Sequence, residues 1–210
     1  MAVAEEQSID FLWQSFLNGD DNCFSLIYNS TVNGLLNYGL KFSMDRDLVH
    51  DCLQEVFIDL FLKRKKSGNK IQKLKPYLFV AVRNGIVKRI VKENRFRFVN
   101  LDEMNDTLDF NIEYSEEHKV IASEKSTERN DKLLGAVKNL APRQKEIVYL
   151  KFEEELEYNE IAEIMKISVE SARKSMHRAV LALRNLLDKE SFQTLLFVFA
   201  KKDSFRCPCF

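Results

Sequence analysis

The chain has 210 residues, 45% of them hydrophobic and 30% charged, a composition ordinary for a soluble globular protein with one large domain or two small ones. Six Gly and three Pro are too few for the many turns of a sheet protein, which leaves an all-α chain as the expectation. Formal net charge is zero, yet the charge is unevenly placed, so the total excludes neither nucleic acid nor a basic protein as a partner.

Residues 1–60 carry ten acids and two bases, 61–97 thirteen bases and one acid, and 102–117 seven acids with no Lys or Arg. In chain order, Asn18-Gly19-Asp20-Asp21 reads as a turn with a helix cap. Phe24, Ile27, Tyr28, Thr31, Leu35 and Tyr38 then recur at steps of three and four, which predicts an amphipathic helix. A second helix starts around Met44–Asp47, and its pairs Leu48/Val49, Cys52/Leu53, Val56/Phe57 and Leu60/Phe61 predict a broad buried face. Residues 63–75 read as a polar, basic loop, and Pro76 suits the first position of a helix over about 77–95. That helix has Phe79, Val82, Ile86 and Ile90 on one side and Asn84, Lys88, Lys92 and Arg95 on another, with Arg89 beside them. Gly85 inside it costs about 1 kcal/mol relative to Ala. From 99 to 130 periodicity fades and acids accumulate, the pattern of a linker.

The second half is sharper. Leu133, Leu134, Val137 and Leu140 open it, and Pro142 starts a helix bearing Ile147, Val148 and Leu150. A short helix with Ile161, Ala162, Ile164 and Met165, a turn at Met165-Lys166-Ile167, and a long helix from Val169 to about Leu187 have the spacing of a helix-turn-helix. Ser168 is placed to cap the long helix. Its expected buried stripe is Val169, Ala172, Met176, Val180, Leu183 and Leu187, and its polar face is Glu170, Arg173, Lys174, His177 and Arg178. A helix of this width enters a major groove, where Arg and Lys reach guanine edges or phosphates and Glu accepts from cytosine.

Residues 139–148, 158–164 and 168–179 together resemble the C-terminal domain of extracytoplasmic-function sigma factors of the sigma-70 superfamily, whose second helix reads the −35 promoter element. The resemblance implies a DNA-binding role for Ser168, Glu170, Ser171, Arg173, Lys174, His177 and Arg178. Two departures stand out. Lys166 occupies the turn position that is usually Gly, at up to about 1 kcal/mol if it is left-handed, and Glu157 replaces the usual Ser or Thr before Tyr158.

Residues 51–60 resemble the stretch of the family's N-terminal domain that binds the clamp helices of RNA polymerase, which implies a polymerase-binding ridge of Asp51, Gln54, Glu55 and Ile58. Residues 76–86 and the bases after them resemble the −10 binding helix. By that likeness Lys65, Lys66, Ser67, Asn69 and Lys70 form the loop that captures a flipped base, while Asn84, Lys88, Arg89, Lys92 and Arg95 track the strand. The implied organisation is two small helical domains joined by a linker: 1–98 for core polymerase and the −10 element, 99–130 as acidic linker, 131–190 as helix-turn-helix domain, and 191–210 as an apolar tail extension. The implied partners are bacterial RNA polymerase core and promoter DNA, and the family commonly adds an anti-sigma factor.

No basic flank followed by an apolar run stands at the N-terminus, and the stretch from Leu195 to Ala200 is too short to span a bilayer, so a cytoplasmic protein without membrane insertion is expected. Cys23, Cys52, Cys207 and Cys209 form no CxxC pair and His50, His118 and His177 are scattered, so neither metal nor cofactor is expected. The sequence contains no Gly-rich phosphate loop, HExxH or GxSxG, and an enzyme is not expected. The alternative is a stand-alone helix-turn-helix regulator that binds duplex DNA without the polymerase.

Overall fold

The computed structural model describes residues 8–64, 70–93, 110–111 and 132–193, and among them every regular element is helical. Contacts divide the chain into two compact units, Met1–Val99 and Asn100–Phe210.

The first unit begins with a helix absent from the expectation above. Helix α1 spans Ile9–Leu17; the Ser8 hydroxyl accepts from the Phe11 amide at 3.3 Å, and Leu12, Trp13 and Phe16 are buried. It ends at the anticipated turn, where Gly19 takes φ +118 and Asp20 accepts from the Asn22 amide at 3.0 Å. Helix α2 (Asn22–Leu40) buries Ile27, Thr31, Leu35 and Tyr38 of its periodic set, while Phe24 is half-buried and Tyr28 is 43% exposed. Helix α3 (Arg46–Lys63) is capped by Asp45, whose carboxylate accepts from the Leu48 amide at 3.1 Å. Its inner face is Leu48, Val49, Cys52, Leu53, Phe57 and Leu60; Phe61, expected inside, is 47% exposed. Helix α4 (Leu74–Glu93) starts ahead of the expected position, because Asp10 of α1 accepts from the Leu74 amide at 2.7 Å and so caps it. Pro76 then sits in the first turn, where an amide would have no partner within the helix.

Gly85 has a simple environment. A Cβ there would lie 3.7 Å from the Cys52 sulfur, ordinary contact distance. Gly85→Ala is therefore expected to stabilise the first unit by up to about 1 kcal/mol, through helix propensity without a clash. A urea titration followed by Trp13 emission reads this directly, since Trp13 is the chain's single tryptophan; a lower midpoint would contradict it.

In the second unit a helix at 132–138 precedes helix α5 (Pro142–Phe152), which has Pro142 in its first turn and the Gln144 side chain accepting from the Ala141 amide at 3.1 Å. Helix α6 (Tyr158–Met165) answers the Glu157 question: the Glu160 carboxylate accepts from the Glu157 amide at 2.8 Å, closing the helix start without a hydroxyl. Lys166 adopts φ 54 and ψ 47, the left-handed conformation. Lys166→Gly is expected to raise the stability of this unit by up to about 1 kcal/mol, the strain relieved exceeding the extra unfolded-state entropy. Thermal unfolding followed by circular dichroism tests it, and an unchanged or lower Tm would refute it. Helix α7 (Val169–Leu186) is capped by Ser168, whose hydroxyl accepts from the Ser171 amide at 3.1 Å.

The buried seam of α7 is Ala172, Met176, Ala179 and Leu183, while Val169, Val180 and Leu187 only flank it half-buried. Ala179, missing from the expected stripe, is fully buried, as Ala172 is. Phe110, within the stretch read as linker, is buried and packs edge-on against Tyr149 of α5, ring centroids 5.8 Å apart. Residues 189–193 are helical and capped by Asp188, which accepts from the Ser191 amide at 2.8 Å and from the Ser191 hydroxyl at 3.0 Å. Those bonds hold the Asp188 carboxyl below its usual pKa. Leu195, Leu196, Phe197, Phe199, Phe205, Cys207 and Cys209 lie outside the described residues.

Candidate nucleic-acid and protein interfaces

All seven residues expected to read DNA from the second unit are exposed: Ser168 at the cap of α7, and Glu170, Ser171, Arg173, Lys174, His177 and Arg178 on the helix. They are not equivalent. Ser168 and Ser171 bond to each other, hydroxyl to hydroxyl at 2.9 Å, and serve the cap. Lys174 pairs with Glu170 one turn back at 2.6 Å, which engages one of its three N–H donors. The Arg173 guanidinium lies 5.7 Å from the centre of the Tyr158 ring of α6.

In the first unit Asp51, Gln54, Glu55 and Ile58 share the exposed side of α3, Ile58 at 58%. Gln54 and Ile58 also border a shallow groove of about 380 Å³ completed by Phe24, Tyr28, Phe57, Phe61 and Leu62. The groove escaped the sequence reading, although residues 57–62 are too apolar for one buried face and signalled it. Acid and apolar edge together suit a basic, partly apolar protein surface.

The basic block of 61–97 overstates the cations open to a ligand. Arg64 pairs with Asp21 and lies 4.7 Å from the Phe16 ring centre, Lys63 binds the Tyr77 hydroxyl, and Arg83 is buried with its guanidinium 5.8 Å from the Phe42 ring. Arg89, expected on the DNA-tracking side, faces α3: it pairs with Glu55 at 2.7 Å and donates to the Leu48 carbonyl at 3.2 Å and to the Cys52 sulfur. It thereby joins two residues expected on separate surfaces. Burial pushes the Cys52 thiol pKa up, and the opposing pull of Arg89 is the smaller effect. Lys70, Lys88 and Lys92 are exposed and Asn84 is half-buried. Lys65, Lys66, Ser67, Asn69 and Arg95 lie outside the described residues. Cys23 and Cys52 are buried free thiols, and among the described residues no three His, Cys, Asp or Glu side chains gather as metal ligands. No described helix is long and apolar enough to cross a membrane.

Comparison with known proteins places names beside this geometry. Residues 136–185 match the family described as Sigma-70, region 4. The chain is 26% identical over 163 residues to the ECF RNA polymerase sigma factor SigM of Bacillus subtilis (strain 168), a match covering 78% of this chain and 94% of that protein. The solved structure described as CnrH in complex with the cytosolic domain of CnrY shares the fold at 17% identity and a TM-score of 0.52, covering 86% of this chain and 98% of that one.

Proposed function

We propose how an extracytoplasmic-function sigma factor, the kind of protein to which this chain belongs, uses these surfaces to direct bacterial RNA polymerase to promoters and to assist DNA melting. The observation that carries the reading is the α7 face, where an entire helical side of polar and cationic groups stands exposed above a capped helix-turn-helix. In the proposed arrangement α7 enters the major groove of the −35 element. Arg173 and Arg178 supply guanidinium donors to guanine edges or phosphates, and Glu170 accepts from cytosine.

Opening a duplex requires that unpaired bases be held once they leave the stack. Lys88 and Lys92, exposed near the end of α4, are proposed to neutralise phosphates of the separated strand, and the loop of Lys65, Lys66, Ser67, Asn69 and Lys70 to take an extruded base. Arg89 contributes through its field and by fixing Glu55. Asp51, Gln54, Glu55 and Ile58 are proposed to dock on the polymerase, with the adjoining groove extending that surface. An anti-sigma factor is the further partner proposed; CnrH, which shares the fold, was solved with a second protein bound. The chain supplies binding and positioning, and polymer synthesis belongs to the core enzyme.

The test is reconstitution with core polymerase, followed by mapping of transcription starts on a genomic template library. New, sequence-specific starts are expected, and specific binding by the protein alone, unaltered by core, would favour a stand-alone regulator. Asp51→Ala with Glu55→Ala is expected to weaken core binding about tenfold, the scale of two interfacial charges worth together about 1–2 kcal/mol. Titration of labelled chain with core measures it; an unaltered affinity removes the ridge from the interface.

A further inference from the structure

We propose that Tyr158 is a positioning residue for Arg173, so that a residue of the first helix of the helix-turn-helix sets how sharply the second helix discriminates base pairs. The inference rests on the reading that α7 reads the −35 element. Tyr158 begins α6 and Arg173 stands in the second turn of α7, and the guanidinium carbon is 5.7 Å from the Tyr158 ring centre, within the range of a cation–π contact. Lys151 brings a second cation to the same ring at 5.6 Å, and this Lys is itself buried, its ammonium 3.7 Å from the Glu157 carboxylate. The ring is thus held from the α5 side by a residue that has little freedom to move.

What the contact leaves free matters most. The ring attracts the guanidinium by its face and takes no hydrogen bond from it, so the N–H donors that grip a guanine edge in a fork are not spent on the ring. Lys174 differs, since its exposed pairing with Glu170 engages one of its three N–H donors and offsets part of its charge. Of the two neighbouring cations, Arg173 is the one presented ready to bind. Removing the ring frees a long side chain to sample many rotamers, and the loss falls on the base pair that Arg173 reads.

The experiment uses the full chain with core polymerase on promoter duplexes. Tyr158→Phe keeps the ring and is expected to bind like the parent protein. Tyr158→Leu is expected to lose about two- to fivefold on the preferred −35 sequence, the scale of an exposed cation–π contact. That loss should vanish on a scrambled −35 duplex and in an Arg173→Ala background. In the free protein, the Arg173 δ-methylene proton signals are expected upfield by ring current in the parent and in Tyr158→Phe, and at ordinary positions in Tyr158→Leu. A Tyr158→Leu loss that is equal on scrambled DNA, or that persists without Arg173, overturns the proposal, as do unshifted δ-methylene signals in the parent. If Arg173→Ala alone leaves promoter preference intact, it is the placement of α7 on the −35 element that fails, and the ring-current measurement still decides the contact between Tyr158 and Arg173.

Discussion

Holoenzyme carrying Arg173→Ala and Lys174→Ala together is expected to bind its promoter about 30- to 1000-fold more weakly, and to lose most of its preference for the native −35 sequence. A good bidentate contact to a base discriminates by about 1–3 kcal/mol, and a phosphate contact adds affinity without sequence preference. Arg173 has a planar fork suited to a base edge, whereas Lys174 is a point charge partly offset by Glu170, so Arg173 carries the larger share of a combined loss of about 2–4 kcal/mol. The helix itself should survive. Ala is the best helix former, both positions are exposed, and the one intrahelical pair lost is worth about 0.3–0.5 kcal/mol. Fluorescence polarisation of labelled promoter duplex at several salt concentrations separates the contributions. Loss of a base contact lowers affinity on the native −35 sequence alone, while loss of a phosphate contact also flattens the salt slope by about one unit per contact. Unchanged promoter preference in this variant would remove α7 from the −35 element.

Which parts of this protein could be read from its sequence follows from how local each signal is. The helix-turn-helix was legible because every determinant lies within twenty-odd residues: Ser168 caps its own helix, Lys166 takes the left-handed turn, and Ala162 is buried where α6 meets α7. Helix α1 carries similar local marks, a Ser8 cap and apolar residues at Leu12, Trp13 and Phe16, but is short enough to pass as an unpatterned end. The start of α4 could not be placed from local pattern, because its cap comes from Asp10, 64 residues away. The basic block shows the same limit in electrostatics. Charge counts cannot distinguish Lys88, which faces solvent, from Arg83, which is buried, or Arg89, which is bonded to α3. Partners distant in sequence decide whether a cation belongs to the fold or to a ligand, just as Phe110 packs on Tyr149, a ring that no local pattern ties to it.

Gly39→Val is expected to destabilise the first unit by about 3 kcal/mol. Gly39 lies near the end of α2, buried where α3 and α4 converge. A Cβ built there would stand 2.6 Å from Cγ1 of Val49 and 3.0 Å from Cδ1 of Ile86. The nearer contact is the decisive one, since Val49 is β-branched, fully buried and confined to few rotamers, so it cannot swing aside as a longer side chain would. Helix propensity favours any residue over Gly here by up to about 1 kcal/mol, while overpacking a dense core costs about 1–3 kcal/mol and occasionally more. Ala should therefore end up destabilising by about 1–2 kcal/mol, and Val, with two further methyl groups in the same space, by more. For a slope of about 1–3 kcal/mol per molar urea, the Val variant should lower the midpoint seen by Trp13 emission by about 1–3 M. The mechanism makes a second, independent demand. Val49→Ala alone opens a cavity and destabilises, yet combined with Gly39→Ala the added methyl occupies part of that space. The double variant should thus be more stable than the sum of the two single effects by about 0.5–3 kcal/mol. Additive losses would mean that Gly39 is required for some reason other than the closeness of α3.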